Sequence, residues 1–227
     1  MSTSEDLTLH HLTSSQSMRI LFALEDLKVP YNLNVIKRDI SRSYPQLDEV
    51  HPLGKSPVLT DKGRSFAESR IILQYLKDYY SSGAWDKSGD DKFRDDYFAE
   101  FSNATLSPKM MMLMFFELIP AMSPWYVKPL MNGIFNNITP MFKKDLDKPF
   151  QLMEEALSKQ PYFGGDNIGL SDFSMSWPMD WADQRKYIDF SLYPNIKKWY
   201  DSIRDRESYK VALEKGGPYD LVFFEYK

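Results

Sequence analysis

The stretch "HPLGKSPVLTDKGRSFAESRIILQYL", residues 51–76, decides the fold of the N-terminal part of the chain. A short apolar run after Ser56 predicts a strand, a turn follows it, and a helix then opens. A proline is tolerated at the first residue or on the edge of a strand, where no ladder donor is needed, so we expect Pro57 to enter a strand with a free side. Such an edge can hydrogen-bond an extended peptide through the backbone of Val58.

The helix that closes this stretch begins with an acid and a hydroxyl. Glu68 and Ser69 fall in its first turn, where unpaired N–H groups and the positive end of the helix dipole favour a carboxylate. Ser69 can donate to that carboxylate and Glu68 can accept from an ammonium group, which suits the head group of an α-amino acid. Lys55 can hold a second carboxylate of the same ligand. Each residue alone also fits a structural role, and only their combination indicates a binding site.

Upstream, "LHHLTSSQSMRILFALEDL", residues 9–27, runs from a short strand into a helix. The polar residues 13–17 lie at the turn between them, facing the carboxyl end of the strand, where open α/β sheets place ligands. A hydroxyl backed by helix N–H groups can donate to a thiolate and lower the pKa of the thiol. The alternative interpretation is that these residues only cap the helix.

The pattern of predicted strands and helices changes near residue 82. Short β-rich runs alternate with helical patterns at 16–27 and 68–80, which predicts an α/β domain over residues 1–82. A linker at 83–89 and an all-helical domain over 90–227 follow. The helices of that second domain are predicted near 90–117, 124–141, 146–158, 171–183 and 194–204. The tail "GGPYDLVFFEYK" is too short to fold alone and is expected to dock on the body.

Composition excludes several classes of function. The net charge is -4 and cysteine is absent, so we expect no nucleic-acid partner, no disulfide, no metal site and no nucleophile supplied by the chain's own thiol. The longest apolar run, at 110–116, is far shorter than the roughly 20 residues of a membrane span, which predicts no integral membrane segment. The acidic N-terminal stretch is unlike a signal peptide, so a cytoplasmic protein is expected.

Two segments resemble motifs of the glutathione S-transferase superfamily, and the likeness covers nearly the whole chain. "HPLGKSPVL" is similar to the family's N-P-x-G-K-x-P-x-L segment and "FAESRIILQYL" to its E-S-x-x-I-x-x-Y-L segment. The resemblance implies a thioredoxin-like α/β N-terminal domain and an all-α C-terminal domain. It further implies that Pro57 is cis and presents the Val58 backbone to the cysteinyl unit of glutathione. By the same likeness Glu68 and Ser69 take the γ-glutamyl end, and Lys55 takes the glycyl carboxylate.

The resemblance leaves two candidates for the hydroxyl that serves the thiolate. In serine-type members this hydroxyl lies four residues before an arginine, which corresponds to Ser15 and Arg19. The zeta-like pattern S-S-C-S-W-R instead favours Ser14. Because "SSQSMR" has Gln16 and Met18 in place of the cysteine and tryptophan, Ser15 is preferred and Ser14 is the alternative. The segment "IKRD" makes the chain most like the fungal and bacterial serine-type group.

The family's second substrate lies in an apolar pocket between the domains. Methionine suits promiscuous apolar binding, although methionines at helical spacing more often form core. The residues expected to line this pocket are Met110, Met111, Met114, Phe115 and the tail residue Phe223. In the helical domain, Gly169 and Asp172 match the family's N-capping box, and Asp172 is therefore expected to serve folding.

Taken together, the resemblance implies an enzyme that conjugates the glutathione thiolate to hydrophobic electrophiles, with glutathione as co-substrate and no other cofactor. A homodimer is expected, with Arg70, Asp95, Asp96 and Glu100 as candidates for the subunit interface. The alternatives are a glutathione-dependent peroxidase and a non-catalytic binding or regulatory protein of the same fold.

Overall fold

The computed structural model describes residues 6–39 and 43–222, which begin with a four-stranded sheet. The order of its strands is β2-β1-β3-β4. β1 runs parallel to β2 and antiparallel to β3, and β3 is antiparallel to β4. The strands are β1 (Thr8–Leu12), β2 (Asn32–Ile36), β3 (Val58–Asp61) and β4 (Arg64–Phe66).

Three helices belong to the sheet: α1 (Met18–Leu27), α2 (Pro45–Asp48) and α3 (Ser69–Tyr80). Every residue of α1 from Met18 to Leu24 is buried. A helix that is buried around its whole circumference needs neighbours on all sides. α1 has them because it lies against the sheet and α3 on one side and against helices of the C-terminal part on the other.

The chain is helical after the sheet, beginning at Gly89. The helices are α4 (Gly89–Phe101), α5 (Ser107–Met122), α6 (Lys128–Lys144), α7 (Asp147–Lys159), α8 (Leu170–Gln184), α9 (Pro194–Asp205) and α10 (Glu207–Gly216). A π-helical segment, Ser102–Leu106, joins α4 to α5, and a 3₁₀ turn, Phe190–Leu192, precedes α9. α8 is the central helix of this part, since nearly all of its residues are buried.

The expected fold class, a thioredoxin-like α/β unit followed by a helical unit, is confirmed. Six of the seven helices expected from the sequence each correspond to one observed helix, whereas the helix expected over 90–117 is divided into α4, the π-helical segment and α5. Two helices were not predicted. The short α2 follows Pro45, and α10 has a polar sequence in which only Tyr209, Ala212 and Gly216 are buried. The described part of the tail does dock on the body, as expected.

The expectation that the proline begins an edge strand is wrong, because β3 lies between β1 and β4. The β3–β4 register starts at Leu59, opposite Phe66, so it does not include Val58. On its other side Val58 is the register partner of His10 in β1. The part of β3 that extends past β4 is therefore a single residue at the start of the strand.

Two buried carboxylates hold the start of α8. Asp172 accepts hydrogen bonds from the backbone N–H groups of Phe163 and Gly169, both at 2.9 Å, and from the indole of Trp199 at 2.8 Å. This confirms its structural role, although Gly169 returns no side-chain bond. Asp95 accepts from the backbone N–H of Ser171 at 2.9 Å and from its hydroxyl at 2.6 Å. Asp95 is 2% exposed, which corrects the expectation that it lies at a subunit interface.

Candidate functional site

A cavity of about 510 Å³ lies between the β1–α1 turn and the helices α4, α5 and α8. One wall, which we call the polar wall, comes from the sheet part of the chain: Ser14, Ser15, Gln16, Arg38, Ser56, Glu68, Ser69 and Arg70. The opposite side is helical and largely apolar. We call it the apolar wall, and its members are Glu100, Asn103, Ser107, Pro108, Met111, Met114, Trp177, Trp181 and the tail residue Leu221.

Ser15 lies at the carboxyl end of β1, as its position in the sequence predicts. Its hydroxyl donates to the backbone carbonyl of Leu12 at 2.7 Å and accepts the backbone N–H of Ser17 at 3.1 Å. Both partners belong to the same turn, just before α1 begins at Met18. Ser15 therefore combines a place on the cavity wall with hydrogen bonds that hold the β1–α1 turn together.

Ser14 also lines the cavity, but its hydrogen bonds go elsewhere. Its hydroxyl donates to the backbone carbonyl of Pro218 at 3.1 Å and accepts the backbone N–H of Asp220 at 3.1 Å. Its backbone has φ +51°, in the left-handed region that non-glycine residues adopt infrequently. The two candidate hydroxyls thus differ in their partners, since Ser14 is bonded to the C-terminal tail.

The start of α3 supplies the acid and the hydroxyl expected there. Glu68 precedes the helix with φ +67°, makes no side-chain cap, and lies exposed on the cavity wall. Ser69 is buried, and its hydroxyl donates to the side-chain carbonyl of Gln16 at 3.3 Å. Residues held at sparsely populated backbone angles cluster at functional sites, because the surrounding structure must support them. Both Ser14 and Glu68 have this property, and they lie on the same wall.

The segment before β3 is arranged partly as expected. The Ser56–Pro57 bond is cis, as the resemblance implied. The hydroxyl of Ser56 accepts the backbone N–H of Leu12 at 3.0 Å and donates to the carbonyl of His10 at 3.2 Å, which joins this segment to β1. The Val58 side chain is fully buried. Lys55 is exposed and is not among the residues that line the cavity.

The five residues expected to form the apolar pocket are placed in three different ways. Met111 and Met114 line the cavity. Met110 lies on the inner face of α5 and is fully buried in the hydrophobic core. Phe115 is half exposed and does not line the cavity. The expectation for these two residues is therefore not met. Phe223 lies outside the described residues.

Two tryptophans and a buried arginine complete the helical side. Trp177 and Trp181 of α8 pack together with their ring centroids 5.0 Å apart. The guanidinium of Arg19 lies 5.2 Å from the Trp177 ring and donates to the side-chain carbonyl of Asn103 at 2.7 Å. Asn103 belongs to the π-helical segment, a form often found at functional sites. Burial lowers the pKa of Arg19 to about 10, so it carries its charge at neutral pH.

Several wall residues were missed by sequence reasoning. Gln16 was noted only as a departure from a motif, although it bonds Ser69. Arg38 donates to the backbone carbonyl of Thr13 and lines the cavity. It is a cation on the polar wall, whereas the sequence analysis named Lys55 as the cation of the site. The tryptophans of α8 fall in a helix that is buried on nearly all sides, so the spacing of its apolar residues does not separate wall from core. For Arg38, the basic segment at 36–39 was an available signal.

Titratable groups near the cavity respond to burial. Burial lowers the pKa of His11 to about 4, and its ring donates to the backbone carbonyl of Gly216 at 3.1 Å. Asp180 in α8 has a pKa raised to about 6 by burial, although three tyrosine hydroxyls donate to it.

Within the described ranges 6–39 and 43–222, no group of three or more acidic or histidine side chains is arranged to hold a metal ion. None of the described helices is long and apolar enough to cross a bilayer.

Family models match both parts of the chain. Residues 9–84 match the glutathione S-transferase N-terminal domain, and residues 141–207 match the glutathione S-transferase C-terminal domain. The first match contains the strands, the β1–α1 turn and the start of α3. The second contains α7, α8 and α9.

Whole-chain relatives agree with these matches. Glutathione S-transferase 3 of Schizosaccharomyces pombe is 31% identical over 221 residues, which are 96% of this chain and 91% of the relative. Glutathione S-transferase 1 of Saccharomyces cerevisiae is 28% identical, covering 92% of this chain and 94% of the relative. A solved glutathione S-transferase from Actinobacillus pleuropneumoniae superposes with a TM-score of 0.73, at 25% identity and 97% coverage of both chains. The chain belongs to the glutathione S-transferase family, and the yeast relatives agree with the fungal group expected from its sequence.

Proposed function

We propose that the protein conjugates glutathione to apolar electrophiles in the cavity between its two parts. The single observation that carries this proposal is the composition of the cavity, which has a polar wall on one side and an apolar wall on the other. A tripeptide with two charged ends needs the first wall, and a carbon electrophile of low polarity needs the second. The names of the whole-chain relatives support the same activity.

The polar wall supplies groups for each part of glutathione. Glu68 accepts from the ammonium of the γ-glutamyl end, and Ser69 with the first-turn N–H groups of α3 donates to its carboxylate. Val58 offers backbone groups to the cysteinyl unit. Lys55 and the newly identified Arg38 are the cations for the glycyl carboxylate, and Arg38 has the advantage of lining the cavity.

Ser15 serves the thiolate in this proposal. Rotation about its C–O bond moves the hydroxyl proton from the Leu12 carbonyl to the sulfur, while the oxygen keeps the N–H of Ser17. A donor aimed at the sulfur favours the thiolate over the thiol, and the released proton passes to water. The sulfur then forms a bond to the electrophilic carbon, and the leaving group departs with the electron pair of the broken bond. The wall's main contribution is to lower the thiol pKa and to hold the two reactants together.

The test is glutathione titration calorimetry followed, on the same preparation, by a conjugation assay with a generic aryl halide. Binding with turnover supports the proposal. Binding without turnover contradicts conjugation, and a peroxide-reduction assay on that preparation then separates the peroxidase from a non-catalytic binding protein. If glutathione does not bind at all, the proposal fails at its first step.

We also propose a homodimer in the cytoplasm, where glutathione keeps thiols reduced. Support for the dimer comes from exposed apolar side chains on α3 and α4, among them Ile71 at 55% and Phe93 at 75%. Arg70 and Asp96 form an ion pair of 2.6 Å between the same two helices. Analytical ultracentrifugation of the wild type and of Phe93→Asp tests this, because a charge placed in a dimer interface yields a monomer. An unchanged mass for the variant would place the interface elsewhere.

A further inference from the structure

A short segment after α10, Gly217–Val222, reaches the cavity with the side chain of Leu221, and we call it the strap. It starts where the ring of His11 in β1 donates to the carbonyl of Gly216 at 3.1 Å. Gly217 then turns the chain with φ +76°, a conformation that favours glycine. The strap therefore leaves α10 directly above the end of β1, next to the β1–α1 turn.

The far side of the strap is fastened to α8. The hydroxyl of Tyr219 donates to the carboxylate of Asp180 at 2.8 Å, and the backbone N–H of Leu221 donates to the side chain of Gln184 at 2.8 Å. These bonds bring the Leu221 side chain onto the apolar wall, where it is 2% exposed. Leu221 thus belongs to the second-substrate side of the cavity, although it follows all the helices in sequence.

Ser14 connects this strap to the opposite wall. Its hydroxyl lies between two backbone groups of the strap, with 3.1 Å to the Pro218 carbonyl oxygen and 3.1 Å to the Asp220 nitrogen. Donor and acceptor functions of the hydroxyl are both used by the strap. Ser15 differs, because its two bonds stay within residues 12–17 and leave the strap untouched.

We propose that Ser14 is a positioning residue for the second substrate, not a donor to the thiolate. It clasps the strap and so holds Leu221 against the electrophile, while Ser15 alone serves the sulfur. This proposal rests on the proposed transferase function. It assigns the two adjacent serines to the two different substrates and makes the strap part of the selectivity for the electrophile.

Removing the clasp has a defined consequence for selectivity. Without the Ser14 hydroxyl, the Pro218 carbonyl and the Asp220 N–H lose their partner, and the strap keeps its bonds to α8 and the His11 bond to Gly216 just before it. Leu221 then packs less firmly on the apolar wall. A small electrophile loses an apolar contact, while a longer one gains room. The ratio of the KM for the small electrophile to the KM for the long one should rise about fivefold. This corresponds to the free energy of burying part of one leucine side chain.

The experiment compares Ser14→Gly, Leu221→Ala and the double variant. Glycine is chosen because the left-handed backbone at residue 14 accepts it without strain. Glutathione affinity is measured by calorimetry, the thiol pKa from the pH dependence of conjugation, and KM for an aryl halide and for a homologue with a long alkyl chain. Both single variants should raise the KM ratio and leave the thiol pKa in place. The double variant should stay within about twofold of the larger single effect, because both changes act through one contact.

Two results would overturn the proposal. A raised thiol pKa in Ser14→Gly with an unchanged KM ratio would make Ser14 the thiolate donor. Unchanged amide exchange of Asp220 in that variant would show that no clasp exists. The exchange measurement needs no catalysis, so it decides the clasp even if wild-type protein fails to bind glutathione, an outcome that refutes the transferase function separately.

Discussion

The two walls of the cavity are built in different ways. The polar wall comes from four short segments: the turn after β1, the residues after β2, the residue before Pro57 and β3, and the start of α3. The hydroxyls of Ser14, Ser15, Ser56 and Ser69 on this wall all have backbone or side-chain partners. The apolar wall comes from α4, the π-helical segment, α5, α8 and the strap, and its methionine and tryptophan side chains are held by packing. Under the proposed function, the polar wall therefore binds one constant ligand by directed bonds, whereas the apolar wall accepts ligands by shape and area.

If the polar wall carries the chemistry, its hydroxyl at residue 15 should matter most. Ser15→Ala should lower kcat/KM about tenfold to a hundredfold, the value of a hydrogen bond to a charged group, with a much smaller change in glutathione affinity. Steady-state kinetics and calorimetry measure the two effects. Ser15→Thr keeps a hydroxyl and is the matched control. A larger loss in Ser14→Ala than in Ser15→Ala would reverse the assignment of the two serines.

The stability of the protein also depends on pH through His11 of β1, whose ring bonds the Gly216 carbonyl just before the strap. The folded pKa of about 4 is below the ordinary value of 6.5, so the unfolded chain binds the proton first. The stabilisation contributed by neutral His11 is present above pH 6.5 and is lost as the pH falls towards 4. Between pH 7 and pH 5 this loss amounts to about 2 kcal/mol.

Denaturant unfolding of wild type and His11→Gln at both pH values measures this term. Asp172 and Asp180 act in the opposite direction. Burial raises the pKa of both carboxyls to about 6, so their protonation on acidification stabilises the folded protein. Both proteins contain these carboxyls, so the difference between the proteins isolates His11. Parallel pH profiles of the two proteins would show that His11 is not the responsible group.

A smaller effect is expected from the helix start on the same wall. Ser69→Ala should weaken glutathione affinity about tenfold, since one hydrogen bond to a carboxylate is lost, and should leave the thiol pKa unchanged. Calorimetry gives the affinity. Ser65→Ala is the control, because Ser65 is an exposed serine of β4 whose hydroxyl bonds the Val50 carbonyl. Equal affinity in both variants would remove Ser69 from the glutathione site.

The smallest single effect is expected on the apolar wall, where no directed bond is broken. Met111→Ala should raise the electrophile KM about threefold through lost apolar contact, with glutathione affinity unchanged. Met112→Ala is a close control, because Met112 is similarly exposed on α5 but does not line the cavity. If the two variants behave alike, the wall has been assigned to the wrong face of α5.

The same contrast explains how far the sequence could predict the site. On the polar wall the chemistry depends on residue type at helix starts and strand ends, so Ser15, Glu68 and Ser69 were identified before their geometry was known. Gln16 was missed because its role depends on the approach of the β1–α1 turn to the start of α3, which lies 53 residues further along the chain. For Lys55, sequence spacing could not show that it is exposed and is not among the residues that line the cavity, so its role stays a prediction.

The apolar wall was harder to predict for a physical reason. α5 is apolar around much of its circumference, with Met110, Met111, Met112 and Met114 in one run. Periodicity then gives no single inward face, so Met110, a core residue, and Met111, a wall residue, look alike. Trp181 has the same ambiguity within α8, where nearly every residue is buried.

Helix α6 forms an antiparallel hairpin with α5 and is the more exposed of the two helices. None of the residues of α6 is buried. It packs on α5 through Phe142, whose ring centroid lies 4.6 Å from that of Phe116 in α5. In the loop between the two helices, Trp125 is 85% exposed. A helix with so little buried surface can detach while the core stays intact. Its amides should therefore exchange with deuterium through a local opening of low free energy, well before those of α8.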